Sequence, residues 1–379
     1  MRKITLLLLN SLLIFALAAC SSNPSNEAAE QTNSGKVDEV SPETNEKPNE
    51  TVTKSPIAKP DGLKHTLVLS TFYEEDFFNE AVKKYEVEHP NITIKLNIAH
   101  PKGNDINWEA DHEKFVKTMN TQILTGTGPD VLEMDQLPIG QYVSKKALLN
   151  LSEMMNNDPS FQREQYFTNV LDNLKLNGGV YGLPVRFYLY GITSDEAAIQ
   201  KAGVPFDDKS WTWNRFMQTS KELIQKGDYE YVFMSIPEYV LDEMVQADYS
   251  TFVDQINHKA NFDSAAFIGM LHQVKEMVDE KILYNPNSSV HIGRLSQAYF
   301  TMDMISSIRR FVLDGTNHVK LYNKPISEGQ TQGGFFRTET TLGINAKSSI
   351  KSEAWDFVKF LISEKVEPGG FPLNKNVYK

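Results

Sequence analysis

The stretch Thr125-Gly126-Thr127-Gly128-Pro129-Asp130-Val131-Leu132-Glu133-Met134 closes a helix and opens a strand within ten residues. Two glycines and a proline in such close order break a helix. Val131 to Met134 then reads as a short buried strand. Upstream, Glu113–Leu124 sets Phe115, Val116, Met119 and Ile123 on one helical face. Before it, Ile92, Ile94, Leu96 and Ile98 alternate strictly, the pattern of a strand. Asp76–Glu88 carries Phe78, Ala81, Val82 and Tyr85 at helical spacing and is ended by His89-Pro90. Thr66-Leu67-Val68-Leu69 reads as a buried strand. The order strand–helix–strand–helix–strand predicts an α/β fold with a largely parallel sheet covered by helices. Ligands of such sheets bind beyond the carboxyl ends of the strands.

Downstream the alternation continues. Gly182-Leu183-Pro184-Val185 is a strand entry, and Asp195–Ala202 and Thr212–Lys226 are helical, with Thr212 as a cap. Ala265–Glu280 predicts an amphipathic helix through Ile268, Leu271, Val274 and Val278. Ser352–Ser363 predicts another through Trp355, Val358, Phe360 and Leu361. Trp355 falls on that apolar face and is a core residue. Trp211 and Trp213 read more readily as packing at a helix start than as a ligand platform, and Asp130 as a strand-entry residue rather than a ligand contact.

The chain's single cysteine, Cys20, ends an apolar run that follows Arg2-Lys3 and shrinks through Leu17-Ala18-Ala19. That layout predicts a secretory signal peptide over residues 1–19. The run is too short, and too broken by Asn10 and Ser11, for a spanning helix. Leu-Ala-Ala-Cys resembles the bacterial lipobox, which implies lipidation of Cys20. From Ser21 to Pro60 there is no aromatic residue, so residues 20–60 read as a disordered tether with a typical reach of about 35 Å. A net charge of −11 leaves no electrostatic footprint for nucleic acid.

The segments quoted above line up with a known family. Thr125–Val131 resembles its Ser/Thr-Gly-x-x-Pro-Asp-Val segment, and Tyr181-Gly182-Leu183-Pro184 its first crossover strand. Lys201-Ala202-Gly203-Val204-Pro205 with Trp211-Thr212-Trp213-Asn214-Arg215-Phe216 resembles a further signature. Gly293–Phe300, Leu342–Ala346 and Glu353–Leu361 resemble three more. By these motifs the chain is similar to the family 1 extracellular solute-binding proteins of ABC importers, the maltose-binding-protein-like class, over nearly all of residues 64–375. Ile192-Thr193-Ser194-Asp195 departs from the Tyr-Asn usual after the crossover strand. In that family Gly370–Asn374 is normally followed by several more helices, so C-terminal helices are expected to be missing.

The resemblance implies a type II periplasmic-binding-protein-like fold over residues 61–379, with hinged lobes and a central ligand cleft. Lobe one is expected over about 64–186 and 312–334, and lobe two over about 187–311 and 335–379. It also implies capture of a solute, a carbohydrate or oligosaccharide, and delivery to ABC permease subunits by a monomer lipid-anchored at the outer face of a membrane, with the Gram-positive surface favoured. Positions just past strand ends are the candidate ligand contacts: Tyr73 and Glu74, Asp135, Arg186 and Tyr188, Arg310 and Phe336. Carboxylates and guanidinium groups suit sugar hydroxyls, and aromatic faces suit the C–H face of a pyranose. Arg309-Arg310 reads equally well as a solvated pair. A binding protein serving a sensor or adhesion is the alternative, and a tethered carbohydrate-active enzyme a further one. Against the enzyme, the histidines show no zinc-helix spacing, no Gly-x-Ser-x-Gly elbow occurs, and the Gly126-Thr127-Gly128 loop lacks the Lys of a phosphate loop. No catalytic residue, metal or cofactor is expected, although carboxylate counting alone does not exclude a glycosidase-like pair.

Overall fold

Parallel pairing of the first two strands sets the architecture. The computed structural model describes residues 60–284, 298–307, 319–330 and 335–378. The signal peptide, Cys20, the tether up to residue 59, Arg309 and Arg310 lie outside the described residues. Strand β1 (His65–Tyr73) runs parallel to β2 (Ile92–His100) and to β3 (Val131–Glu133). Helix Asp76–Glu88 follows β1, and helix Trp108–Thr125 follows β2. The latter stops at Gly126, whose φ of 79° is the left-handed cap that glycine takes at least cost.

A nine-stranded mixed sheet grows from this unit. Beyond β3 come β4 (Leu183–Asp195), β5 (Tyr231–Met234), β6 (Ala298–Ile305), β7 (Val319–Tyr322), β8 (Phe335–Ile344) and β9 (Phe371–Pro372). The spatial order is β2-β1-β3-β8-β4-β6-β5, with β7 and β9 also paired to β4. Among the described residues no helix is long and apolar enough to cross a membrane.

Two cores show which strands cross. In the first, Leu67 and Leu69 of β1 pack with Val131, Leu183, Val185 and Phe187, under the helices carrying Tyr85 and Trp355. The opposite face of the same sheet has its own cluster of Phe72, Phe115, Met119, Leu132 and Tyr142. The second core gathers Ile192, Trp211, Trp213, Phe216, Val232 and Phe300. Strand β4 thus starts in the first core and ends in the second. Strand β6 does so in reverse, with Phe300 in the second core and Ile305 in the first. Each large apolar side chain so buried contributes on the order of 2 kcal/mol, so these strands are anchored at both ends and exposed between.

The third return corrects the expected lobe boundaries. Strand β8 runs antiparallel to β4 from Phe335 to Leu342 and then pairs with β3. It delivers Leu342, Ile344, Trp355, Phe357, Val366 and Leu373 to the first core. Conversely, β7 pairs with residues 192–195 of β4, and Tyr322 joins the second core. Residues 319–322 therefore belong with lobe two and residues 342–373 with lobe one. Register with β3 decided this, and no periodicity within β8 reports it. The helix Ala265–Asp279 is also rotated from expectation. Met270, Val274 and Met277 face inward, whereas Ile268 and Leu271 are exposed. Trp355 is buried as core, as its helical spacing predicts, and Trp211 and Trp213 are buried too, as expected for aromatics packed at a helix start. Asp130 accepts from the Val68 N–H (2.9 Å) and the Ser348 hydroxyl (2.6 Å), a strand-entry role.

Candidate functional site

Antiparallel partners point to the same face of a sheet, so the β4–β8 register sorts the crossing residues. Arg186 faces Glu339, and Tyr188 faces Arg337. Tyr190 lies on the same side by the period of two and pairs with Met304 of β6. One face of the crossing strands thus presents guanidinium groups, phenols and a carboxylate in a short ladder.

On the first-lobe side of this ladder Arg186 is the hub. Its guanidinium makes a two-pronged contact with Glu75 (2.7 and 3.0 Å), donates from Nε to Glu339 (2.8 Å), and donates to the Pro368 carbonyl (2.8 Å). Burial opposes the Arg186 charge, but the Glu75 and Glu339 carboxylates outweigh it and raise its pKa. The Tyr188 hydroxyl donates to the same Glu339 oxygen (2.9 Å), and burial together with that bond pushes its pKa up to about 12. Gly370, at φ 66°, lies against the Tyr188 ring, where an added Cβ would come within 3.1 Å. Beneath them Glu133 is buried and accepts the Phe72 N–H (2.9 Å). Burial and the nearby charges of Asp135 and Glu75 push it up to about 7, against the opposing pull of Arg186 and that hydrogen bond.

Asp135 accepts from the backbone N–H of Thr340 (2.5 Å) and Thr341 (3.0 Å). Thr340 sits at φ 59°, a left-handed conformation that a β-branched residue rarely adopts. Strained backbone of this kind persists only where its surroundings hold it, and the Asp135 clamp does so where β8 turns from β4 to β3.

On the second-lobe side, helix Pro237–Ala247 supplies Asp242 and Glu243. Glu243 pairs with Lys324 at 2.5 Å, both nearly inaccessible, and burial pushes the Lys324 ammonium down while Glu243 opposes it. Arg337 reaches Glu243 and Asp242 (2.9 Å to the latter), and its guanidinium lies 4.9 Å from the Tyr190 ring centre. Two cavities meet at Tyr190, Glu243 and Arg337. One, of about 540 Å³, extends over Tyr239, Tyr284 and Met302. The other, of about 500 Å³, follows the edge of β8 past Phe336 and Thr338 to Asn173 and Leu174 of the first lobe. A third, of about 700 Å³, lies between loop 137–141 and hairpin 253–260. There Ile256 packs against the first-lobe cluster around Tyr142.

Of the residues expected in the cleft, the structure brings Arg186 and Tyr188 together on the ladder and places Phe336 on a cavity wall. Asp135 instead holds backbone. Glu74 accepts the Lys102 N–H (3.1 Å), and Tyr73 stands at the end of β1, 38% exposed. The expectation missed Glu75, Tyr190, Glu243, Lys324 and Glu339. Period-two spacing from Tyr188 and Arg337 would have found Tyr190 and Glu339. Asp61, His65 and Glu353, at the far end of β1, bring potential ligand atoms within 4.8 Å of one another. Asp61 is already held there by His65 (2.9 Å) and Glu353 (3.1 Å).

Comparison with known proteins agrees with this architecture. The family model described as bacterial extracellular solute-binding protein matches residues 73–368. A lactose-binding protein of Rhizobium radiobacter is 22% identical over 278 residues, 73% of this chain. The chain spans 61% of that relative's length. Among solved structures, the sugar-binding protein MalE of Xanthomonas citri superposes with a TM-score of 0.59 at 17% identity, covering 83% of this chain and 80% of that one. An oligogalacturonide-binding protein of Yersinia enterocolitica gives 0.58 at 20% identity, with 82% and 80% covered. A Listeria monocytogenes ABC substrate-binding protein in complex with cycloalternan gives 0.55 at 18%, with 83% and 81% covered. These likenesses show the fold. Two cores joined by crossing strands, a cleft above those strands and a family match over most of the length lead to one assignment: the chain belongs to the bacterial extracellular solute-binding protein family.

Proposed function

We propose that this protein captures a carbohydrate, most readily an oligosaccharide, between its two lobes and delivers it to the membrane subunits of an ABC importer. The observation that carries the reading is the β4–β8 ladder. Tyr188, Tyr190, Arg337 and Glu339 share one face there, and of the two adjoining cavities the one that follows β8 draws walls from both lobes, through Asn173 and Leu174 on one side and Glu243 and Lys324 on the other. Phenol rings cover the apolar face of a sugar, and fixed carboxylates and guanidinium groups take its hydroxyls. A solute touching both lobes binds the closed state better and shifts the population toward it. The sugar-binding relatives support the choice of solute class.

Lipidation of Cys20 places the receptor at the outer face of the cell membrane, and the tether raises its local concentration near the permease. The protein works as a monomer without metal or cofactor, and its lobes hold solute without transforming it. A thermal-shift screen across mono- and oligosaccharides tests the solute class. A ligand at a hundredfold its Kd adds about 2.7 kcal/mol, a plain upward shift. Silence across sugars with a response to peptides or polyamines refutes the carbohydrate reading. Incorporation of labelled palmitate into the wild type but not into Cys20→Ser tests the anchor.

A further inference from the structure

Four tryptophans occur in the chain, and three are sealed in the cores: Trp211 is 1% exposed, and Trp213 and Trp355 are each 2% exposed. Trp108, at the start of the helix after β2, is 36% exposed. Its setting is built rather than incidental. The indole N–H donates to the Tyr73 hydroxyl (2.8 Å). The His112 ring stacks on one indole face at 4.9 Å and 6°, and buried Phe72 meets it edge-on at 5.9 Å. The loop leading to Trp108 is pinned as well. Asn104 donates to Asp111 (2.8 Å), Asn107 donates to Asn104 (2.6 Å), and the Lys102 N–H donates to Glu74. The polar edge of the indole is therefore satisfied within the protein and one face is covered, so what remains for solvent is apolar ring.

Position gives this ring a partner. Tyr73 is two residues from Glu75, at most about 7 Å along the chain, and Glu75 holds Arg186 at the near end of the crossing ladder. A flat, immobilised aromatic face beside amide and carboxylate groups matches the C–H face and hydroxyl rim of a pyranose. We propose that Trp108, fixed by Tyr73 and His112, is a stacking platform for an outer ring of an oligosaccharide whose inner rings lie over the Tyr188–Arg337 ladder. This rests on the carbohydrate reading above and deepens it: the solute is longer than the central cleft, and affinity rises with chain length until a ring reaches Trp108.

The test pairs calorimetry with acrylamide quenching of tryptophan emission, using neutral gluco-, xylo- and galacto-oligosaccharides of one to six rings. Trp108 is the one accessible indole, so the quenchable emission of the wild type is its signal, and Trp108→Phe removes it. A bound oligosaccharide should protect that emission. Trp108→Ala should lose about tenfold in affinity for the longest ligands and little for the shortest. Should Trp108→Ala fail to fold, protection in the wild type and the Trp108→Phe affinity decide. Tight binding with Trp108 still fully quenchable and Trp108→Ala affinity unchanged overturns the platform while leaving the carbohydrate reading intact. Absence of calorimetric binding to every oligosaccharide overturns both.

Discussion

Replacing Glu133 by glutamine should abolish a pH dependence that the fold carries at the floor of the first lobe. Glu133 is 4% exposed, with its pKa raised from an ordinary 4.5 to about 7. Burial is the chief cause, and the charges of Asp135 and Glu75 add to it. Below about pH 4.5 the carboxyl is neutral in both folded and unfolded chains, and nothing is lost. As pH rises toward 7, the unfolded chain releases this proton while the folded chain retains it, so folding stability falls. Above pH 7 the loss levels off. At about 1.4 kcal/mol per pH unit, a rise from 4.5 to about 7 corresponds to roughly 3 kcal/mol. Glutamine keeps an oxygen to accept the Phe72 N–H and carries no charge to desolvate. Urea unfolding of wild type and Glu133→Gln at pH 5 and pH 8 isolates the effect, because every other titrating group is common to both. The stability difference should move by roughly 2.5 kcal/mol in favour of the variant between the two pH values, since at pH 5 the unfolded chain has already released part of this proton. A difference that stays constant with pH, or moves toward the wild type, refutes the assignment of a buried, reluctant carboxylate.

Arg186→Met should destabilise by roughly 3 kcal/mol or more in the same melts, because it strands the partly buried Glu75. Glu339→Gln, whose side chain is 49% exposed, should cost under about 1 kcal/mol; equal costs would remove Arg186 from its place as hub. An added Cβ at Gly140 would lie 2.6 Å from Gln255 Cβ and 2.9 Å from its carbonyl oxygen. Gly140→Ala should therefore part loop 137–141 from the hairpin, enlarge the radius of gyration in small-angle scattering and weaken ligand binding. Unchanged scattering and affinity would show that the contact does not hold the lobes together. At Gly227 an added Cβ would fall 1.7 Å from the hydroxyl of buried Tyr299, so Gly227→Ala should cost about 1–3 kcal/mol by overpacking, read as a lower urea midpoint.

Local pattern accounts for much of what was legible in advance. The helix Asp76–Glu88 and the strand from Ile92 were readable because their apolar spacing is a property of the chain within one element. The cap at Thr212, which accepts the Arg215 N–H, was readable for the same reason. The site was half legible. Arg186 and Tyr188 follow a strand entry marked by Gly182-Leu183-Pro184, whereas Glu75 and Glu339 acquire meaning only from Arg186, 111 and 153 residues away in sequence. Asp135 looked like a ligand contact because it follows a strand end, yet its carboxylate is occupied by the Thr340 and Thr341 backbone.

By itself the sequence determined the α/β class, the opening strand–helix order from β1 to β3, the core tryptophans and the solute-binding family, because each of these is written in residue spacing, composition and short motifs. Tertiary structure alone decided which lobe residues 319–322 and 342–373 join, since a strand such as β8 can enter either core until its register with β3 and β4 is fixed. It also decided which charges are paired and which ring is free. Those depend on partners brought together by the sheet, and that is why Trp108, unremarked in the linear chain, stands out once the other three indoles are seen to be buried.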